Sequence, residues 1–194
     1  TGEIPQERCD EIIFLGELGL DGALRFVRGV LPTLVSATKE GFTKAVIPSA
    51  NRDEAALIRT MHSVGTSSLS SVVQFLITGE VEASPIHEAL EFSDESHLDL
   101  SDVVGQSAAR YALEIAAIGN HHILFIGPPG TGKTMLAERL PTILPELSTE
   151  SALEVAAIHS IAGINQRVGN KFKVPPFIAP HHTTTPVAMI GGGS

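Results

Sequence analysis

Apolar residues recur in short blocks along the first eighty positions, and turn-forming residues separate the blocks. Alternating and helical periodicities can both be found there. They predict the following elements: a strand over 12–18, a turn at Asp21-Gly22, a helix over 32–40 closed by Gly41, a strand over 44–47, a helix after Asn51, and a helix over 70–77 ended by Gly79. Strands that alternate with helices favour an α/β or α+β layer.

A second patterned region begins at residue 101. It predicts a helix that ends near 118, an apolar strand over 122–126, a helix over 135–140, and a longer helix from 148 or 149 to 161 with Gly163 at its end. Residues 166–173 are typical of a hairpin that turns at Gly169-Asn170. The tail over 175–194 has no clear period and is predicted to be a loop.

The stretch between the two regions is acidic. Eight Asp or Glu residues and no Lys or Arg lie between Glu80 and Asp102. With Pro85 and several serines, residues 80–100 are interpreted as an acidic linker that has room for one short helix over 86–91. We therefore expect two domains, over 1–79 and 101–194.

Composition narrows the class of protein. The chain has 194 residues, 43% of them hydrophobic and 18% charged, as in a globular protein. It has neither a long apolar run nor a signal-peptide core, which predicts a cytoplasmic protein that does not cross a membrane. Cys9 has no second cysteine to pair with and no neighbour that suggests a nucleophile.

Charge is unevenly distributed. The net charge of −9 argues against a surface that binds nucleic acid over its whole extent. However, residues 155–194 contain no acid and carry Arg167, Lys171 and Lys173. This basic segment is interpreted either as a solvated face or as a contact for an anionic polymer.

One motif carries recognisable chemistry. Residues 127–134 read Gly-Pro-Pro-Gly-Thr-Gly-Lys-Thr and lie between the predicted strand 122–126 and the predicted helix 135–140. The pattern G-x-x-x-x-G-K-[ST], placed between a strand and a helix, is that of a phosphate-binding loop. It predicts a nucleotide site, with these residues as ligands: Gly127, Pro128, Pro129, Gly130, Thr131, Gly132, Lys133 and Thr134.

The residue types suit that task. Glycines at 127, 130 and 132 allow positive φ and a close approach of phosphate oxygens to backbone amides. Lys133 supplies a compact cation for the β- and γ-phosphates. Thr134 supplies a hydroxyl oxygen for Mg²⁺. We assign the catalytic contribution of the loop to Lys133 and Thr134.

Other candidate groups have simpler explanations. The pairs His121-His122 and His181-His182 suggest a metal site, but adjacent side chains point in different directions and no acid lies near the second pair. Local hydrogen bonding is the interpretation we favour for them. Glu17 and Asp21 could be interpreted as paired carboxylates, but Asp21-Gly22 is a turn signature, so a turn is the interpretation we favour.

The motifs taken together resemble a known family. Residues 99–106 (Asp-Leu-Ser-Asp-Val-Val-Gly-Gln), the phosphate loop, residues 135–145 and the run Pro-Phe-Ile-Ala-Pro-His-His-Thr over 176–183 resemble the magnesium-chelatase-like AAA+ ATPases. Residues 14–25, 28–32 and 45–48 are similar to the Lon-protease-like domain that precedes the ATPase in the YifB/ComM branch. The chelatase subunit proper lacks that leading domain, so the order of the two parts favours YifB/ComM.

The resemblance implies a fold and a function. It implies the C-terminal part of a Lon-like (ribosomal S5-type) α+β domain over 1–79, then the linker, then the N-terminal part of a P-loop AAA+ domain over 101–194. ATP and Mg²⁺ would be the cofactors, with Val103 and Val104 lining the adenine pocket. The parent would be a hexameric, ATP-driven motor of the DNA branch-migration type, with DNA met through residues 164–190.

Two departures from the family pattern matter. In active Lon-type peptidases a Ser and a Lys do the chemistry, but Leu31 stands at the Lys position and the Ser would lie upstream of Thr1, so the leading domain is expected to be non-catalytic. After Thr134 no apolar strand ends in Asp or Glu, and neither Arg139 nor Arg167 has the context of an arginine finger. The chain is therefore expected to be a piece of a longer protein with negligible ATP hydrolysis alone.

Two other functions remain open at this stage. One is a magnesium chelatase ATPase subunit that inserts Mg²⁺ into a porphyrin, which shares the ATPase motifs but not residues 11–79. The other is a non-catalytic assembly module.

Overall fold

A computed structural model describes residues 4–80, 98–164 and 172–191. The chain divides into two compact units: one comprises Thr1–Glu95 with Leu147–Lys173, and the other Ser96–Glu146 with Val174–Ser194. The strands are β1 (Ile12–Phe14), β2 (Glu17–Leu18), β3 (Leu24–Arg25), β4 (Lys44–Pro48) and β5 (His62–Thr66). The α-helices are α1 (Val30–Lys39), α2 (Arg52–Ala55), α3 (Leu69–Thr78), α4 (Ser107–Gly119), α5 (Lys133–Arg139), α6 (Thr149–Ala162) and α7 (Pro186–Ile190).

The first unit contains a parallel sheet in the order β1-β4-β5 and a separate antiparallel hairpin of β2 and β3. The central strand β4 is buried over four of its five residues, as expected for a strand with neighbours on both edges. The predicted strand over 12–18 is two strands instead, because the chain leaves the parallel sheet near Gly16. A Cβ there would lie 3.1 Å from Leu24 Cδ2, so glycine allows the hairpin to approach closely.

Helices cover this sheet through one apolar core. Val30, Leu31 and Leu34 on α1 are fully buried and pack with Ile47 of β4. Their spacing of three and four residues places them on one helical face. The predicted helix over 32–40 is thus confirmed with an earlier start, at Val30, and Gly29 before it has a φ of 78°.

Helix α6 belongs to the first unit. Its ends match the sequence prediction: the Ser148 side chain accepts a hydrogen bond from the Ser151 amide, and Gly163 is left-handed with a φ of 71°. Ala156 of α6 is buried in the same core as α1. The structure thus groups Leu147–Lys173 with the first unit, whereas the sequence pattern favoured a place for these residues in the second domain.

The second unit is built around α4 and α5. Leu100, Val103, Leu113 and Leu136 form its buried cluster. The predicted strand over 122–126 is wrong, since no strand is present in the described residues of this unit. Its side chains still alternate: Ile123 and Phe125 pack against the cluster, whereas Leu124 and Ile126 are exposed.

Two further differences and two untested predictions remain. Strand β5 was not predicted, and the tail, predicted to be a loop, contains the short helix α7. The turn at Gly169-Asn170 and the short helix over 86–91 lie outside the described residues. Within the described ranges, no helix is long and apolar enough to cross a membrane.

Candidate nucleotide-binding site

The first part of the motif, residues 127–132, forms a largely exposed loop that leads directly into α5, whose first two residues are Lys133 and Thr134. Gly130 and Gly132 have φ values of 80° and 77°, in the left-handed region that other residues rarely adopt. Gly132 is the N-cap residue directly before α5, and its carbonyl accepts a hydrogen bond from the Leu136 amide at 3.0 Å. Two of the three glycines singled out in the sequence therefore occupy conformations that favour glycine.

Lys133 folds back over the loop. Its ammonium donates to the carbonyl oxygens of Gly127 at 2.9 Å and Pro128 at 2.7 Å, and it lies 3.4 Å from Thr131 Oγ1. Thr131 in turn donates from its hydroxyl to the Pro128 carbonyl at 2.9 Å. The side chains of Lys133 and Thr131 thus close the loop on itself.

The charge of Lys133 is the property that suits this loop to a polyanion. Its recorded partners are two carbonyls and a hydroxyl, all neutral, and no carboxylate pairs with it in the described residues. If the ammonium exchanged these carbonyl contacts for contacts with phosphate oxygens, its hydrogen bonds would become stronger, because hydrogen bonds between two ions are stronger than those to neutral groups. The residues present therefore fit a nucleotide phosphate chain.

Gln106 also reaches this loop, which the sequence motifs did not predict. Its side-chain amide donates to the Thr131 carbonyl at 3.2 Å, across 25 residues of sequence. A Cβ on Gly132 would lie 2.8 Å from Gln106 Nε2. Gln106 itself is left-handed, with a φ of 52°, at the start of α4.

Arg139 at the end of α5 holds the segment that precedes Gln106. Its Nε donates to the Asp99 carbonyl at 3.0 Å, and its Nη2 lies 3.6 Å from Asp102 Oδ2. The Arg139 guanidinium is therefore engaged within its own unit. Asp99 and Asp102 form a reciprocal cap around the turn between them.

Asp99 is electrostatically stabilised in this turn. Hydrogen bonds from the Ser101 backbone amide and the Ser101 side chain, assisted by the Arg139 guanidinium, hold the pKa of the Asp99 carboxyl below its ordinary value. The segment 99–106 is thus fixed to the loop and its helix at both ends, by Arg139 and by Gln106.

The remaining predicted ligands differ in accessibility. Pro128, Pro129 and Thr134 are exposed, so the Thr134 hydroxyl is open to a metal ion. Val104 is 94% exposed, whereas the Val103 side chain is 1% exposed and belongs to the buried cluster. Among the predicted adenine contacts, Val104 is therefore the one whose side chain is accessible.

The other candidate groups do not assemble into a site. No group of three metal-ligating side chains occurs in the described residues. His181 and Thr183 share a hydrogen bond of 2.8 Å, the local role expected for a histidine in a loop. Leu31, which the family resemblance aligns with the Lys of Lon-type peptidases, is fully buried in the core of the first unit.

Comparison with protein families gives two matches. The model described as "Magnesium chelatase, subunit ChlI" matches residues 99–194, which include the whole loop. The model described as "Subunit ChlI of Mg-chelatase" matches residues 1–51. The two matches leave residues 52–98 between them, which include most of the acidic stretch.

Matches over nearly the whole of this chain decide the branch. The chain is 42% identical over 200 residues to the competence protein ComM of Haemophilus influenzae and 40% identical over 197 residues to YifB of Escherichia coli. These alignments cover 100% and 99% of the chain. The chain is a magnesium-chelatase-like protein of the YifB/ComM type. An uncharacterised Mycobacterium tuberculosis protein is 46% identical over 98% of the chain.

This YifB/ComM-type chain spans less than two fifths of its relatives: 38% of ComM and of the mycobacterial protein, and 37% of YifB. A shorter alignment of 69 residues, 38% identical, relates 33% of the chain to an archaeal Lon protease of Halobacterium salinarum. The Lon-like resemblance is thereby supported, and the mixed α/β architecture with a parallel sheet is compatible with it.

Proposed function

We propose that this YifB/ComM-type chain carries the ATP- and Mg²⁺-binding loop of an AAA+ ATPase. One observation supports the proposal above all. The loop 127–134 combines two left-handed glycines with a lysine ammonium whose recorded partners are all neutral. Membership of a family of the AAA+ ATPase type agrees with it.

Each residue of the loop has a distinct task in this proposal. Backbone amides of the loop and the Lys133 ammonium bind the β- and γ-phosphates. Thr134 gives its hydroxyl to Mg²⁺, which neutralises phosphate charge when bound. Val104 contacts adenine through its exposed side chain. Val103 contributes its backbone, because its side chain is buried.

Substitution of Lys133 by Ala tests nucleotide binding. The ammonium makes charge-assisted hydrogen bonds of about 1.5–3 kcal/mol, so affinity for MgATP is expected to fall by about ten- to a hundredfold in titration calorimetry. Lys39→Ala on the exposed face of α1 is the matched control and leaves affinity unchanged. Equal MgATP binding by wild type and Lys133→Ala would remove the basis of the proposal.

Within the proposed domain plan, residues 1–79 are the C-terminal part of a non-catalytic Lon-like domain and 80–100 are an acidic linker. Residues 101–194 begin the AAA+ domain. Leu31, which the resemblance aligns with the Lys of Lon-type peptidases, is buried and cannot act as a base. Among the described residues after Thr134 the structure contains no strand that could present an acid to the metal ion, and the proposal is ATP binding without appreciable hydrolysis by this chain alone.

The parent of this part is proposed to be a hexameric motor on DNA, of the branch-migration helicase type. The competence protein among its relatives supports a DNA-related process. DNA would be contacted through 164–190, where positive charges occur without acids. Unwinding of branched DNA by the full-length parent, abolished by Lys133→Ala, is the expected result.

Two alternatives give different outcomes in that experiment. The family models carry the name of magnesium chelatase, which favours insertion of Mg²⁺ into a porphyrin as the second candidate. ATP-dependent metalation of a porphyrin without DNA unwinding would support it. A non-catalytic assembly module would show neither activity and no MgATP uptake.

A further inference from the structure

Gln106 combines an unusual backbone conformation with a side-chain hydrogen bond to a distant part of the chain. It is one of two non-glycine residues with positive φ in the described parts of the chain, the other being Asn120, and its side chain crosses to the phosphate loop. Left-handed backbone is unfavourable for residues with a Cβ and persists where the surroundings impose it. The hydrogen bond to the Thr131 carbonyl is the one that the structure shows for the Gln106 side chain among the described residues.

The contact fixes the orientation of one peptide group in the loop. All peptide bonds of the described residues are trans, and in a trans peptide the C=O and the N–H point in opposite directions. Because the Thr131 carbonyl is held by Gln106, the N–H of Gly132 is directed away from Gln106. That N–H belongs to the same motif whose amides are proposed to bind phosphate.

The glycine at 132 and the glutamine at 106 fit each other. A Cβ at 132 would come within 2.8 Å of Gln106 Nε2, so the absence of a side chain at 132 makes room for the amide. Gly130 has a similar φ of 80°, but a Cβ added there would meet no atom of the described residues within 4 Å. Of the two left-handed glycines of the loop, Gly132 is therefore the one that the Gln106 side chain approaches.

We propose that Gln106 is a positioning residue that orients the Thr131-Gly132 peptide for phosphate binding. This inference rests on the proposed nucleotide function and extends it to a residue outside the 127–134 motif. Gln106 acts on the loop backbone and contacts no phosphate itself. Its removal should therefore weaken binding of the phosphate chain whether or not a nucleoside is attached.

The test uses the full chain and inorganic tripolyphosphate with Mg²⁺ as the probe. In Gln106→Gly, the left-handed backbone becomes relaxed while the amide is lost. We expect tripolyphosphate affinity to fall about three- to tenfold, the range for one net hydrogen bond, with the thermal unfolding midpoint at or above that of wild type. Gln106→Asn, which tolerates the same φ but is one methylene shorter, should behave likewise.

Asn120→Gly is the matched control. It relaxes the other left-handed residue, at the opposite end of α4, where φ is 51°. Its unfolding midpoint should also stay at or above wild type, but its tripolyphosphate affinity should not change. A positioning role thus separates affinity from stability, whereas a purely structural role of Gln106 would lower both together.

The outcomes distinguish this inference from the proposed function. If wild type takes up no tripolyphosphate, nucleotide binding and the role of Gln106 fail together. If wild type binds tripolyphosphate, Lys133→Ala binds it more weakly, and Gln106→Gly binds it as wild type does, the inference alone is overturned. A fall in both affinity and unfolding midpoint for Gln106→Gly also overturns it.

Discussion

Glu54 offers the sharpest test of what holds α6 in the first unit. Its carboxyl is 4% exposed, and each recorded partner is a donor: the Ser160 hydroxyl at 2.6 Å, the Leu31 amide at 3.3 Å and the Asn51 side-chain amide. A carboxylate only accepts hydrogen bonds, so it matches three donors. The network joins α1, α2 and α6.

Glu54→Gln keeps the size of the side chain but replaces one acceptor with a donor. Asn51 cannot simply rotate its amide to compensate, since its Oδ1 accepts from the Val27 amide at 3.1 Å and its Nδ2 donates to the Val27 carbonyl at 2.8 Å. At least one buried donor then lacks an acceptor, which costs about 1–3 kcal/mol. With a urea slope of about 1–3 kcal/mol per molar, the unfolding midpoint should fall by roughly 1 M.

The assay is urea unfolding followed by far-UV circular dichroism, together with the fluorescence of Tyr111, the chain's one tyrosine, which lies in the second unit. The dichroism transition should shift in Glu54→Gln, while the Tyr111 signal reports the other unit separately. Glu154→Gln applies the same change at an exposed position of α6 and should stay within about 0.5 kcal/mol of wild type.

Ser160→Ala provides the second arm of a double-mutant cycle with Glu54→Gln. The serine is 2% exposed, and both its hydroxyl and its carbonyl accept from the Gly29 amide, at 3.1 and 3.2 Å. The Gly29 amide therefore retains a partner, and the loss should be dominated by the bond to Glu54. Additive effects of the two substitutions, or equal stabilities of Glu54→Gln and Glu154→Gln, would refute the proposed network.

The remaining predictions concern the second unit. Because the pKa of Asp99 is depressed, the hydrogen bonds that its carboxylate accepts from Ser101 and its electrostatic attraction to Arg139 are present above the ordinary aspartate pKa and are lost as pH falls through the lower, folded value; a carboxyl titration by NMR at or above the ordinary value would contradict this. Ile123→Asp should destabilise the second unit by about 1–2 kcal/mol, since Ile123 packs on the buried cluster, whereas Leu124→Asp should cost less than about 0.5 kcal/mol. Equal losses in the urea unfolding of these two variants, followed by Tyr111 fluorescence, would show that the observed alternation does not govern packing.

The sequence predicted elements whose determinants are local. Helix α6 was bounded correctly to within one residue because a serine cap and a left-handed glycine act within a single turn. Strand β5 was missed because His62-Ser-Val-Gly-Thr66 has no apolar block, and it becomes a strand by pairing with β4. Local pattern therefore predicts helices with caps better than it predicts a strand formed by its neighbour.

The same distinction applies to the candidate site. The loop 127–134 could be predicted because its function requires fixed residue types at consecutive positions. Gln106 could not, because its contact with Thr131 spans 25 residues and depends on how α4 meets the loop. A glutamine directly after a glycine and before a helix gives no signal by itself.

Residues 122–126, directly before the loop, have the alternating side-chain pattern of a strand but do not form one. Alternation requires only one packed face, and Ile123 and Phe125 supply it by contacting the buried cluster. A ladder also requires a partner backbone, and none is hydrogen-bonded to 122–126 among the described residues. The loop is therefore anchored by side chains on its N-terminal side, as it is by Leu136 of α5 on the other. Ile123 and Phe125 pack against the buried cluster that contains Val103, and Leu136 belongs to it. Packing in that cluster should therefore control the geometry of the loop and of segment 99–106 together.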